Sequence, residues 1–267
     1  EFSTMTIEST LTPVKNVTRT PTSTLVPTLS SDEKVQFSNK LLSNNNNCKL
    51  PCWWGITPGD TKWKDAYDFL SSFADVEFKR RYSLKVREKT LDIAEYRIRF
   101  WVSSENRLSF GITTANDTVT EIGLGPEITQ MNFQLQQLLS QMGPPGQVWI
   151  HTYPSAPGTI PFRLAVNYPN AEVIAFYETQ AIKEDLMLLG CLSGVSPYLY
   201  LGPNLNVTGF EWTEEEIENR MLGLPPHRIH IKTLEQATDM SIIEFHELFQ
   251  TMNADACVKT SLDNWQW

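Results

Sequence analysis

The chain has 267 residues, 41% hydrophobic and 20% charged, with a formal net charge of -9. These proportions are ordinary for globular proteins, and no apolar run approaches the ~18 residues that a membrane-crossing helix needs. Lys and Arg cluster only at Lys79-Arg80-Arg81, so a nucleic-acid footprint is not expected, and the acidic balance mainly favours solubility.

From Ser3 to Ser31 nearly every second residue is Ser or Thr, with Pro13, Pro21 and Pro27 between them and aromatics almost absent. Such a segment has too little apolar area to offset its ordering entropy, which predicts a disordered or loosely extended spacer. Ser43 to Asn47, ending in four consecutive asparagines, reads as a hinge, so residues 1–47 are expected to form a stalk. The chain opens at Glu1 rather than Met, which reads as a fragment, a mature form or a cloning scar such as Glu1-Phe2-Ser3-Thr4. A lipid anchor or signal lost from that end is the one membrane link expected. About 220 residues remain beyond the low-complexity start, enough for one large domain or two small ones.

Four cysteines, Cys48, Cys52, Cys191 and Cys257, allow three pairings. A turn at Pro51 would close Cys48-Lys49-Leu50-Pro51-Cys52 into a small loop. We expect Cys48–Cys52 and Cys191–Cys257, worth ~2 and ~4 kcal/mol on the chain-entropy model. The alternative is a four-ligand metal site, for which no CxxC half-site exists. The stretch from Cys48 through Trp53-Trp54-Gly55-Ile56-Thr57-Pro58-Gly59 resembles the opening of a group of exported, lipid-anchored bacterial proteins. That resemblance implies export and brings no activity.

Thr61 is the expected N-cap of a helix over 61–73, whose apolar face is Trp63, Ala66, Tyr67, Leu70 and Phe73. Strand patterns follow. Phe78 to Val86 alternate; Tyr96, Ile98, Phe100 and Val102 alternate with Arg97, Arg99 and Trp101; Leu108, Phe110 and Ile112 lead through a turn at Asn116-Asp117 to Val119, Ile122 and Leu124. This predicts an antiparallel meander with one buried face, forming with its helix a first unit over 48–130. A second unit, 131–267, begins with a helix carrying Phe133, Leu135, Leu138, Leu139 and Met142, which Gly143-Pro144-Pro145 must stop. Strands near 147–152, 161–168 and 172–178 follow, with a turn at Pro169-Asn170, then further extended segments over 185–201. A last helix, 241–252, should start with a Ser241/Glu244 capping box.

Gly143-Pro144-Pro145 before a strand is echoed by Gly223-Leu224-Pro225-Pro226 before His227 to Ile231, which raises an internal duplication. Helix followed by strands resembles the unit of the BamE outer-membrane lipoproteins and the β-lactamase inhibitor protein, a likeness covering about half the body. The expected class is α+β: two or more helix-then-antiparallel-strands units, with a tandem duplication of that kind as one arrangement and the relation of the two halves, one shared sheet or separate lobes, left open.

No catalytic motif withstands inspection. His246-Glu247-Leu248-Phe249-Gln250 has Gln where a zinc-protease helix needs its second His. His227 and His230 would face opposite ways on a strand. Ser193 in Gly190-Cys191-Leu192-Ser193-Gly194 stands one residue late for a nucleophile elbow. Glu214-Glu215-Glu216 and Glu218 suit the first turns of a helix over 213–222. Asp68 and Asp75 are carboxylates whose relation in space the sequence leaves open. Trp53 and Trp54 either form a ligand-stacking platform or, as we favour, pack over the Cys48–Cys52 loop; Trp265 and Trp267 read as a docked tail. The expectation is a non-catalytic extracellular or cell-surface module without cofactor, binding an unknown protein or cell-envelope component. The rivals are an exported hydrolase assembled from distant residues and an inhibitor-like protein.

Overall fold

The computed structural model describes residues 29–86, 89–130, 132–153, 159–202, 231–251 and 256–265. Its first helix corrects the expected stalk of residues 1–47. α1 (Ser31–Asn44) opens with a capping box: the Ser30 hydroxyl accepts from the Glu33 N–H at 3.4 Å, and the Glu33 carboxylate accepts from the Ser30 N–H at 2.8 Å. Leu41 and Leu42 are buried, and Phe37 meets Phe69 and Phe73 edge-on. A polar composition therefore conceals an apolar stripe at helical spacing, whose burial fixes the segment. Residues 1–28 of the stalk lie outside the described residues.

The expected hinge at 43–47 is a fixed corner. Asn45, Asn46 and Asn47 all take left-handed backbone, φ 48°, 52° and 57°, a region that asparagine tolerates better than most residues. The Asn45 side chain donates to the carbonyls of Cys48 and Cys52 at 2.9 and 3.0 Å and accepts from the Trp54 N–H at 2.8 Å. It thereby clamps both ends of the Cys48–Cys52 loop, which is closed by a disulfide as expected.

α2 (Trp63–Ser71) matches the helical pattern, but Lys62 rather than Thr61 is its N-cap. Thr61 instead accepts from the Thr57 N–H at 2.8 Å, closing the turn around Pro58-Gly59. Four strands follow, β1 (Asp75–Val86), β2 (Lys89–Trp101), β3 (Arg107–Ala115) and β4 (Thr118–Leu124). Asn116 and Asp117 both have positive φ between the last two, as a tight two-residue hairpin requires. A short helix α3 (Pro126–Thr129) and α4 (Leu135–Met142) lead to β5 (Gln147–Thr152), β6 (Pro161–Tyr168) and β7 (Val173–Gln180). β8 (Ile182–Glu184), β9 (Met187–Cys191) and β10 (Tyr198–Leu201) complete the middle of the chain. After it come β11 (Ile231–Thr233), α5 (Leu234–Thr238), α6 (Ile242–Thr251) and β12 (Cys257–Ser261).

The strands make one nine-stranded sheet, ordered β1-β2-β3-β4-β10-β7-β6-β5-β11, every pair antiparallel, and a three-stranded sheet, β12-β9-β8. The two helix-then-strands units thus share one sheet. The last strand of the first unit, β4, meets β10, so the run β1-β2-β3-β4 is followed across the sheet by β10-β7-β6-β5. The fold is α+β, as the patterns predict. Of the proline echo, Pro144-Pro145 follows α4, whereas Pro225-Pro226 lies outside the described residues.

One face of the large sheet carries the core. Ile98, Phe100, Phe110, Ile122, Val166 and Leu199 from it join Leu41 of α1, Leu70 of α2 and Leu138 of α4 in one buried cluster. Tyr177, fully buried there, donates its hydroxyl to the Phe133 carbonyl at 3.0 Å. In the small sheet Cys191 and Cys257 stand directly opposite each other and form the second expected disulfide. The Ser241/Glu244 capping box is present, with Phe245 and Phe249 on the buried side of α6.

Candidate functional site

Residues directly opposite each other on antiparallel strands point to the same side, so a row can be followed across the face of the sheet turned away from the core. It runs Glu77, Arg97, Gly111, Gly123, Tyr200, Ile174, Asn167, Gln147, one residue from each of eight strands. The row begins charged, passes two glycines with no side chain, and ends apolar and amide.

The charged half is crowded with ion pairs. Lys79 donates to Glu77 at 2.6 Å and Arg99 lies 2.9 Å from the other Glu77 oxygen. Arg80 donates twice to Glu95, at 2.8 and 2.7 Å, and Tyr82 adds its hydroxyl at 3.2 Å. Arg107 pairs with Asp75 and lies over the Trp101 ring, 4.5 Å from its centroid. Exposed pairs of this kind contribute little to stability, but they fix the direction of the side chains. The hydrogen bond from Lys79, opposed by desolvation, holds the Glu77 carboxyl below its ordinary range. Burial, then the Glu95 charge, raises the Tyr82 phenol. Arg97, at the edge of the glycine step, is exposed and makes no hydrogen bond or ion pair among the described residues; its charge acts on the Glu77 carboxyl directly opposite it.

Around the two glycines the face sinks into a depression of about 370 Å³, bordered by Arg97, Glu95, Glu121, Ser109, Tyr198 and Tyr200. A Cβ at Gly111 would meet no atom nearer than 4.0 Å, so the backbone there lies open. At Gly123 the Tyr200 ring lies across the strand, 3.3 Å from where a Cβ would be. Tyr198 is 49% exposed. Beyond Tyr200 the same face changes character, and Trp149, Ala165, Ile174, Phe176 and Ile231 form a second buried apolar cluster.

The residues singled out from sequence lie elsewhere. Trp53 and Trp54 are each 1% exposed and stack with centroids 5.1 Å apart; Trp54 also meets Phe73, Phe100 and Phe110. The ligand-stacking alternative is therefore corrected: no ring face reaches solvent, and the pair caps the core behind the Cys48–Cys52 loop. Trp265 is buried and donates to the Thr260 hydroxyl at 3.0 Å, a docked tail, while Trp267 lies outside the described residues. Asp68 pairs with Lys64 and Asp75 with Arg107, each carboxylate with its own cation. Ser193 sits exposed in a turn before Gly194. His151 is buried beside Tyr153, ring centroids 5.0 Å apart. Among the described residues no three His, Cys, Asp or Glu side chains are grouped to hold a metal, and no helix is long and apolar enough to cross a membrane. The Glu214–Glu218 run, His227 and His230 lie outside the described residues.

Sequence reading took Arg97 and Arg99 as the polar side of an alternating strand and gave no weight to Gly111 and Gly123. A glycine inside a strand pattern marks a close approach or a missing side chain, and two of them were a usable signal. Their adjacency, however, depends on the β3–β4 register. No protein-family model, curated protein or solved structure matches the chain.

Proposed function

We propose that the protein is a non-catalytic binding module that works outside the cell or at its surface, holding a protein or cell-envelope component on the far face of the large sheet. The observation that carries this reading is the depression over Gly111 and Gly123, a bare step between an uncommitted guanidinium and two tyrosines. Tyrosine and arginine are the side chains that dominate recognition surfaces. The neighbouring carboxylates Glu77 and Glu95 are each engaged by a cation. The Glu77 carboxyl, held below its ordinary range chiefly by the hydrogen bond from Lys79, suits positioning better than proton donation, which needs a carboxyl raised toward neutrality. Two disulfides fit an oxidising environment, and that supports the exterior location.

The test is retention of a component from detergent-solubilised cell envelope by the immobilised full chain and by Gly111→Leu. That substitution projects a side chain into the depression from a position whose Cβ meets no atom nearer than 4.0 Å. Retention by the wild type and loss by the variant is the expected result. Equal retention by both, or turnover in a broad hydrolase screen, would count against the reading.

A further inference from the structure

Resting on that reading, we propose that the occupant of the depression is an extended segment of a partner protein that places one carboxylate on Arg97 and, four residues along, an aromatic side chain against Tyr198 and Tyr200. Three observations carry it. Four nearby strand cations are engaged: Lys79 and Arg99 share Glu77, Arg80 holds Glu95 and Arg107 holds Asp75. Arg97 holds none, and a planar guanidinium takes a carboxylate through two parallel hydrogen bonds. The step beside it is bare backbone at Gly111, so an incoming main chain can lie close. Tyr200 follows Gly123 in the same row, and Tyr198 is half-exposed two residues before it on β10.

Spacing then selects the ligand. Strands lie ~4.8 Å apart, so the two to three strand steps from Arg97 to the tyrosine rings span roughly 10–14 Å. In an extended peptide, side chains four residues apart share a face and stand ~13 Å apart. Single rather than multiple acidity also follows, because Glu95 and Glu121 border the same depression and would repel a polyanion.

Chemical-shift titration of the full chain with the peptide acetyl-Ser-Glu-Ser-Gly-Ser-Phe-Ser-amide tests this. Saturable shifts centred on β3, β4 and β10 are expected, with affinity about tenfold weaker for Arg97→Ala and partial recovery in Arg97→Lys. The Gln-for-Glu peptide, the Lys-for-Glu peptide and a version with Glu and Phe two residues apart should all bind more weakly. If the Gln peptide binds as well as the Glu peptide while Gly111→Leu abolishes both, the carboxylate proposal fails and the binding face stands. If the Glu peptide binds equally to wild type, Arg97→Ala and Gly111→Leu, the contact lies elsewhere and both ideas fall. Absence of binding by all the peptides at millimolar concentration overturns the proposed occupant, leaving the envelope-retention experiment to judge the face.

Discussion

The two halves of the large sheet have mirrored strand order and opposite far faces. On β1–β4 that face is solvated, laced with ion pairs and hollowed at two glycines; on β5–β7 and β11 it is a second apolar core, in which Ile174 and Ala165 are fully buried. The cause is local. The first half places Glu77, Arg97, Arg99, Gly111 and Gly123 on this face, where the second half places Trp149, Ala165, Ile174 and Phe176 beside the amides Asn167 and Gln147. Backbone pairing is indifferent to this exchange, because side chains on the two faces of a strand are chosen independently. Strand order can thus be mirrored across one sheet while the side-chain chemistry of its far face differs between the halves.

The sharpest way to break the comparison is at the small sheet, which belongs wholly to the second half. Replacing both Cys191 and Cys257 with Ser should cost about 4 kcal/mol in denaturant unfolding, since the bridge closes a long loop. Loss of the same amount from a Cys48/Cys52 double replacement would contradict the chain-entropy account, which assigns its short loop about half as much.

A matched pair of truncations on the far face comes next. Ile174→Ala should destabilise by about 3 kcal/mol because it opens a cavity. Arg97→Ala, in the same cross-strand row but exposed, should stay within about 0.5 kcal/mol of wild type by urea titration. Comparable losses would mean that the two halves are equally structural.

The smallest effect is one of pH. Burial raises the hydroxyls of Tyr168 and Tyr177 above the ordinary tyrosine range, Tyr177 the more deeply buried. A group whose folded pKa is raised contributes stability below its unfolded value, near 10, and loses it as the pH climbs toward the folded one. Stability should therefore hold to about pH 10 and fall beyond it. A melting temperature unchanged from pH 9 to 11 would show that these phenols are not confined to the core of the second half.

The legible parts of this molecule were those with local signals. Alternation marked the first-unit strands, the stop at Gly143-Pro144-Pro145 and the turn at Pro169-Asn170 framed β5–β7, and Ser241 and Glu244 marked the start of α6. What escaped was of two kinds. In α1 the signal was present, Ser30 and Glu33 in a capping box ahead of Phe37, Leu41 and Leu42, but composition over a wide window drowned it. At the candidate site the signal was non-local. Gly111 and Gly123 become neighbours only through strand register, and Arg97 is distinguished from Arg99 only by which carboxylates lie within reach. Trp53 and Trp54 show the converse, since an aromatic pair beside a turn looks like a surface until the core that covers it is known.

β1 has one further consequence. It is twelve residues long and ends the sheet, so its outer row of amide and carbonyl groups is a ready template for another chain. A register slip between Phe78 and Arg80 interrupts that row, and Lys79, Arg80 and Arg81 stand at or just beyond the interruption. A kink and three adjacent cations are what discourage a second copy from docking edge to edge. The basic triplet, too short in the sequence to suggest a polyanion footprint, stands in the fold on an exposed sheet edge, where charge disfavours edge-to-edge pairing.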